Sequence, residues 1–217
     1  GMKWGAVYVG GGTPSTLPAK MLDRLFSLLS EHFDIAEDAE KSFEFDPLVM
    51  NSGRVEVLKA HGFAHLSFGI QSLDPQVNQA HNRGPQNRET ITKRFNELYS
   101  AGLHDVACDF LLGLAGTTPQ GILSEIEWVL EQHQPRWVDV FQISPTPEYV
   151  KLHFGGELDR FWDHLAPFQD YVPEAIKIMA ERQGYTVNAG GGQRITLHRN
   201  ALPKGWPSLP KRAHGYN

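Results

Sequence analysis

The chain has 217 residues, 41% of them apolar, with 20 Lys and Arg against 25 Asp and Glu and a single cysteine. This is ample for a sizeable core and excludes disorder over most of the chain. The net charge of −5 speaks against a general nucleic-acid binder, and no apolar run is long enough for a membrane helix.

One cysteine, Cys108, excludes a disulfide framework and any all-cysteine metal or iron–sulfur site built from these residues alone. With no secretory signal pattern, the expected location is the cytoplasm, with neither a membrane nor a nucleic acid as partner. Charge is uneven. Tyr185 to Asn217 carries Arg194, Arg199, Lys204, Lys211 and Arg212 with no acidic residue. It reads as a solvated tail rather than a phosphate-binding surface.

Strand-like runs are predicted at Ala6–Gly10, Lys41–Phe45, His65–Gln71, Asp105–Leu112 and Trp137–Ser144. Helical periodicity fills the intervals: Pro18–Phe33, Arg54–His61 ending at Gly62, Arg88–Ser100 ending at Gly102, and Thr118–Gln132 after a Thr-Pro start. A last pattern over Glu157–Gln183 is expected to be interrupted at Pro167 and Pro173. The alternation is a run of βα units, either barrel-like or doubly wound. Residues 1–184 are expected to form this core. Residues 185–217, rich in Gly, Pro and basic side chains, are expected to be an irregular tail.

In such folds ligands bind beyond the carboxyl ends of the strands. The first predicted strand runs into Gly10-Gly11-Gly12-Thr13-Pro14, where missing side chains let backbone approach a ligand. The second ends at Glu44 and Asp46-Pro47, the third at Gln71-Ser72 with Arg83 following, and the fourth carries Asp109. A carboxylate within an apolar strand is costly unless it meets a polar partner. Taken singly, the Gly-rich turn is as readily a tight βα turn or phosphate cradle, and Glu44 or Asp109 a structural ion-pair partner. His61 and His65 do not share a helix face, and the ten histidines form no metal-binding pattern, so no metal site is predicted. The sequence names no catalytic residue.

Taken together, the segments resemble a known family. Val7 to Ser15, reading Val-Tyr-Val-Gly-Gly-Gly-Thr-Pro-Ser, is similar to the second-strand motif of radical SAM enzymes of the oxygen-independent coproporphyrinogen III oxidase type. Phe43-Glu44-Phe45-Asp46-Pro47, His65 to Asp74 with His81-Asn82-Arg83 after it, and Gly102 to Leu114 resemble that family's later motifs, in the same order. The match spans about residues 6 to 147 and fades beyond Tyr149.

The resemblance implies a partial (β/α) barrel that binds S-adenosylmethionine (SAM) across its strand tops. It places Gly11, Gly12 and Thr13 against the methionine part and Glu44, Gln71, Arg83 and Asp109 along the rest of the site. It further implies an oxidoreductase using a four-iron four-sulfur cluster on a small organic substrate, with a tetrapyrrole as the family's suggestion.

Two departures bear on this. The three-cysteine cluster loop and the first barrel strand expected ahead of Gly10 are not among these residues, and Ala115 stands where the family carries proline. The expectation is therefore a chain inactive by itself, with the cluster confined to a full-length form. Its uncovered edge strand would favour self-association. Two other readings stay open. One is a radical-free (β/α)-barrel enzyme acting on a phosphorylated molecule, with Gly10–Thr13 as phosphate cradle and Glu44 or Asp109 as base. The other is a non-catalytic SAM-binding or interaction protein.

Overall fold

The computed structural model describes residues 3–190, 193–199 and 201. Its strands are β1 (Trp4–Val9), β2 (Ile35–Phe45), β3 (His65–Gln71), β4 (Asp105–Leu112), β5 (Trp137–Gln142), β6 (Tyr185–Gly190) and β7 (Arg194–Arg199). Its helices are α1 (Ala19–His32), α2 (Ser52–Ala60), α3 (Pro75–Ala80), α4 (Arg88–Ser100), α5 (Pro119–Gln132), α6 (Pro147–Phe154) and α7 (Leu158–Arg182). The strands lie in one open sheet, ordered β1-β2-β3-β4-β5-β7-β6. The fold is α/β, as expected. The chain divides into two compact units, one of residues up to 69 and 88–107, the other of residues 70–87 and 108–201, so the division falls within β3 and β4.

In the first unit, β1, β2 and β3 are parallel neighbours, with Val9 opposite Phe43 and Phe45 opposite Phe68. Parallel strands require crossovers, and α1 and α2 supply them. Spacings of three and four put Leu22 and Phe26 on the buried stripe of α1 and Ile91, Phe95 and Leu98 on that of α4. Phe26, Phe43 and Phe63 form an aromatic cluster with centroids 4.3–6.1 Å apart, and Phe68 packs against Phe45 and Phe95. Where β3 and β4 begin, His65 and Asp105 are both buried and joined at 2.5 Å, so each offsets the desolvation of the other.

β2 begins at Ile35, six residues before the predicted start. Between Trp4 and Ala6 its register against β1 jumps from Ile35 to Glu40. The added stretch contains Glu37, Asp38 and Glu40, with the first two in solvent; it meets β1 at Ile35 and Glu40 and carries no apolar pattern.

In the second unit, β5 and β6 both pair antiparallel with β7. This corrects the expectation of irregular structure from residue 185 onward for these two strands. Their alternation was obscured by neighbouring glycines. Arg194 makes two 3.0 Å bonds to Asp139, whose Oδ1 also accepts from the Thr196 hydroxyl at 2.6 Å. The Arg199 guanidinium lies 5.4 Å from the centre of the Tyr185 ring. Two of the five basic residues of the expected tail are thus engaged within the fold. Lys204, Lys211 and Arg212 lie outside the described residues.

The expected interruption of the last helix is also corrected: α7 runs unbroken through Pro167 and Pro173. Each proline removes one hydrogen bond to the carbonyl four residues back. Those carbonyls belong to Asp163 and Gln169, both in exposed residues where water can satisfy them. The buried stripe Phe161, Leu165, Phe168, Val172, Ile176 and Ala180 holds the helix across both breaks. α7 also explains Gly113, where a Cβ would come 2.4 Å from Leu165 Cδ1.

His133 follows the last turn of α5 and packs edge-on against Trp128. Burial lowers its pKa from the ordinary 6.5 to about 4. Unfolding frees it to protonate, so between pH 6.5 and 4 the unfolded state binds more protons and stability falls with pH. The contribution is fully present above pH 6.5 and lost as pH falls toward 4. We expect the urea midpoint to drop steadily on acidification through this range. His133→Gln should flatten the slope without abolishing it, since His104 and His153 are also shifted downward. Equal midpoints at pH 7 and pH 5 in the wild type would contradict this.

Candidate functional site

In the first unit the Gly-rich segment is built around one carboxylate. The register that sets Val9 beside Phe43 brings Gly10 beside Glu44. A Cβ on Gly10 would lie 2.7 Å from Glu44 Oε2 and 2.5 Å from Tyr8 Cε1, so a side chain there would push the ends of these two side chains aside. Gly11 turns through φ 100°, and its N–H donates to Glu44 Oε2 at 3.1 Å.

Thr13 has a left-handed backbone, φ 70°, and donates its N–H to the Gly11 carbonyl at 2.9 Å. Its own carbonyl accepts from both the amide and the hydroxyl of Thr16 as a short 3-10 turn begins. Gly12 faces open space. The buried Ser15 hydroxyl accepts from the Asp46 amide at 2.9 Å, tying the exit of β2 to the same loop. The structure thus assembles Gly11, Gly12, Thr13 and Glu44 into one loop around a carboxylate.

In the second unit, β3 ends in a strained turn at Gln71. Its φ is +64°, and the Ser72 N–H donates back to the Ile70 carbonyl at 2.8 Å. A bond from i+2 to i about a residue of positive φ is the strained form of γ-turn. The Gln71 Oε1 atom is buried with no hydrogen-bond partner, an acceptor left without a donor. Ser72 and Leu73 are held by Glu125 of α5, and Asp74 caps α3 by accepting from Gln76 N at 2.8 Å.

Arg83 follows α3, half-buried, its N–H donating to the Asn78 carbonyl at 2.9 Å. Asp109 is half-buried on β4. Burial of the Cys108 thiol, reinforced by Asp109 and Asp139, pushes its pKa well up. Cys108 is therefore a neutral core thiol and a poor metal ligand. Among the described residues, no group of three or more His, Cys, Asp or Glu side chains is placed to hold a metal ion.

Residues beyond those predicted complete this segment. Tyr149 of α6 accepts from the Ala115 N–H at 2.8 Å, a bond that proline at 115 would lack. His81 Nδ1 lies 2.8 Å from the Val77 carbonyl, which can only accept, so its Nε2 accepts from the Tyr149 hydroxyl at 3.2 Å. Glu125 was also missed, though a signal existed. It lies three residues after Ile122 and four before Val129, which places a carboxylate on the buried stripe of α5.

Comparison with known proteins identifies the family. The Radical SAM superfamily matches residues 2–129. Oxygen-independent coproporphyrinogen III oxidase of Escherichia coli (strain K12) is 33% identical over 138 residues, which are 64% of this chain and 30% of that protein. An anaerobic coproporphyrinogen III oxidase of Cereibacter sphaeroides is 28% identical over 203 residues, 94% of this chain and 42% of the relative. The solved structure of coproporphyrinogen III oxidase from Escherichia coli, a radical SAM enzyme, superposes with a TM-score of 0.74 at 26% identity. It covers 90% of this chain and 43% of its own. The chain therefore spans less than half the length of these relatives.

The likeness that the motifs show fading beyond Tyr149 continues in the 203-residue alignment, which covers 94% of this chain. No helix among the described residues is long and apolar enough to cross a membrane.

The loop geometry separates adjacent glycines. Gly10→Ala pushes the Glu44 carboxylate and the Tyr8 ring toward solvent and loosens the bond from the Gly11 N–H, so it should cost no more than about 1 kcal/mol. Gly12→Ala meets open space and a φ outside the left-handed region, and should stay within about 0.5 kcal/mol of wild type. Urea denaturation of both variants checks this, and a loss of several kcal/mol in either would contradict it.

Proposed function

The chain belongs to the Radical SAM superfamily, and from that premise we propose that it binds S-adenosylmethionine as part of an oxidoreductase related to oxygen-independent coproporphyrinogen III oxidase. The observation carrying this reading is Gln71, where backbone strain and a buried acceptor without a donor coincide. Strain of about 1–3 kcal/mol is retained where a side chain must be aimed at something. An amide oxygen suits the hydroxyls or exocyclic amine of an adenosine.

The other proposed ligands fit by chemistry. Gly11, Gly12 and Thr13 offer exposed or half-exposed backbone, and Glu44 offers a carboxylate for a cationic group. Arg83 suits a carboxylate, and Asp109 a hydroxyl or a cation. With a reduced four-iron four-sulfur cluster, the cofactor supplies hydrogen-abstracting radical chemistry. The 217 residues contain one cysteine, buried and with a raised pKa, so the proposal assigns them cofactor binding alone. Cluster ligation is assigned to a form that carries three further thiolates. The proposed substrate class is a tetrapyrrole, after the activity named for the relatives, and the proposed location is the cytoplasm.

The phosphate-cradle alternative meets a physical obstacle. Glu44 Oε2 already accepts from the Gly11 N–H, and this carboxylate would repel a phosphate at the same loop.

Titration calorimetry with S-adenosylmethionine tests the reading. Wild type should bind, and millimolar inorganic phosphate should not compete. Gln71→Gly should show opposed effects: relief of the positive φ holds or raises stability, while loss of the acceptor weakens binding tenfold or more. No binding by wild type at millimolar cofactor, or an unaltered affinity in Gln71→Gly, would overturn it.

A further inference from the structure

Ser72 and Leu73, the two residues directly after the strained turn at Gln71, are both held by one carboxylate. Glu125 Oε1 accepts from the Ser72 hydroxyl at 3.0 Å, and Oε2 accepts from the Leu73 N–H at 2.8 Å. Ser72 is fully buried, and its hydroxyl also accepts from the Asp74 amide at 3.1 Å. Asn78 of α3, likewise fully buried, reaches back with its side-chain amide to the Ser72 carbonyl at 2.6 Å. Its own backbone carbonyl accepts from the Arg83 N–H at 2.9 Å. One continuous set of bonds therefore runs from α5 to the residue after Gln71, then through Asn78 to Arg83.

A strained turn relaxes unless its flanks are pinned, and a carboxylate accepting two bonds, one from a backbone N–H, pins them by charge-assisted hydrogen bonding. Resting on the reading that Gln71 and Arg83 contact S-adenosylmethionine, we propose that Glu125 and Asn78 are positioning residues for that site. Glu125 holds the Gln71 turn in its left-handed conformation. Asn78 sets the distance from that turn to Arg83. Neither needs to touch the ligand.

Glu125→Met removes both acceptors at nearly conserved volume, so both bonds are lost, whereas Glu125→Gln can hold the Leu73 N–H with its oxygen and donate to the Ser72 hydroxyl. Ser72→Ala removes the hydroxyl, and Ser72→Thr restores it. The full 217-residue chain is assayed for S-adenosylmethionine binding by calorimetry, for thermal unfolding, and for hydrogen exchange across residues 71–83. We expect Glu125→Met and Ser72→Ala to weaken binding tenfold or more, with faster exchange confined to that segment and melting within a few degrees of wild type, and Glu125→Gln to keep most of the affinity. Ser72→Thr should recover most of the affinity.

Binding by Glu125→Met as tight as wild type would overturn the proposal. So would a loss of affinity accompanied by lower melting and faster exchange throughout the chain, which would make Glu125 a staple of the fold only. Failure of the wild type itself to bind would instead overturn the assignment of Gln71 and Arg83 to the cofactor, and the positioning role with it.

Discussion

The parallel register of β1 against β2 is the constraint from which the first half of the site follows. With Val9 opposite Phe43, the residue after β1 arrives beside Glu44, where a side chain would press on the Glu44 carboxylate and the Tyr8 ring. The same approach brings the Gly11 N–H within 3.1 Å of Glu44 Oε2, so the carboxylate at the strand end is met by a backbone donor. The same packing carries Ser15 onto the Asp46 amide, so the loop is held at its far end too. The loop is thus shaped both by bonds among Gly11, Thr13 and Thr16 and by the two carboxylate-bearing residues at the end of β2.

β3 and β4 were legible to the residue, and so was α4. The two strands are largely buried and α4 buries one stripe, so their apolar patterns record their surroundings directly. The first half of β2 was not, because a largely solvated acidic strand leaves no trace in hydropathy. Pro167 and Pro173 misled for a related reason. Local rules charge the full cost of a helix break, whereas in α7 a six-residue buried stripe secures the helix on either side of each proline. At β6 and β7 the glycine-rich surroundings masked two ordinary antiparallel partners.

The site shows the same division. Gly11, Glu44 and Gln71 could be named from sequence because turn glycines and polar residues at strand ends are local signals. Glu125 could not be assigned a role, since its partners lie more than fifty residues earlier in the chain. Ala115 shows the converse. It looks like a minor departure from a family pattern, yet its N–H is what Tyr149 accepts, and Tyr149 in turn fixes the ring of His81 two residues before Arg83.

Gly11 and Gln71, each at a strand end, are both left-handed, and they meet the requirement differently. At Gly11 the conformation costs almost nothing, because the position contributes backbone and its side chain is dispensable. At Gln71 the same conformation is imposed on a residue that resists it, although glycine there would remove the strain. Glu125 and Asn78 hold the segment that follows, and the turn ends in a buried acceptor facing no donor. A position of this kind is kept for what its side chain offers rather than for the turn it makes. The strain, the anchoring carboxylate and the unpartnered oxygen fall within a few residues of one another, and the cofactor-binding role proposed for Gln71 would give the three a common purpose.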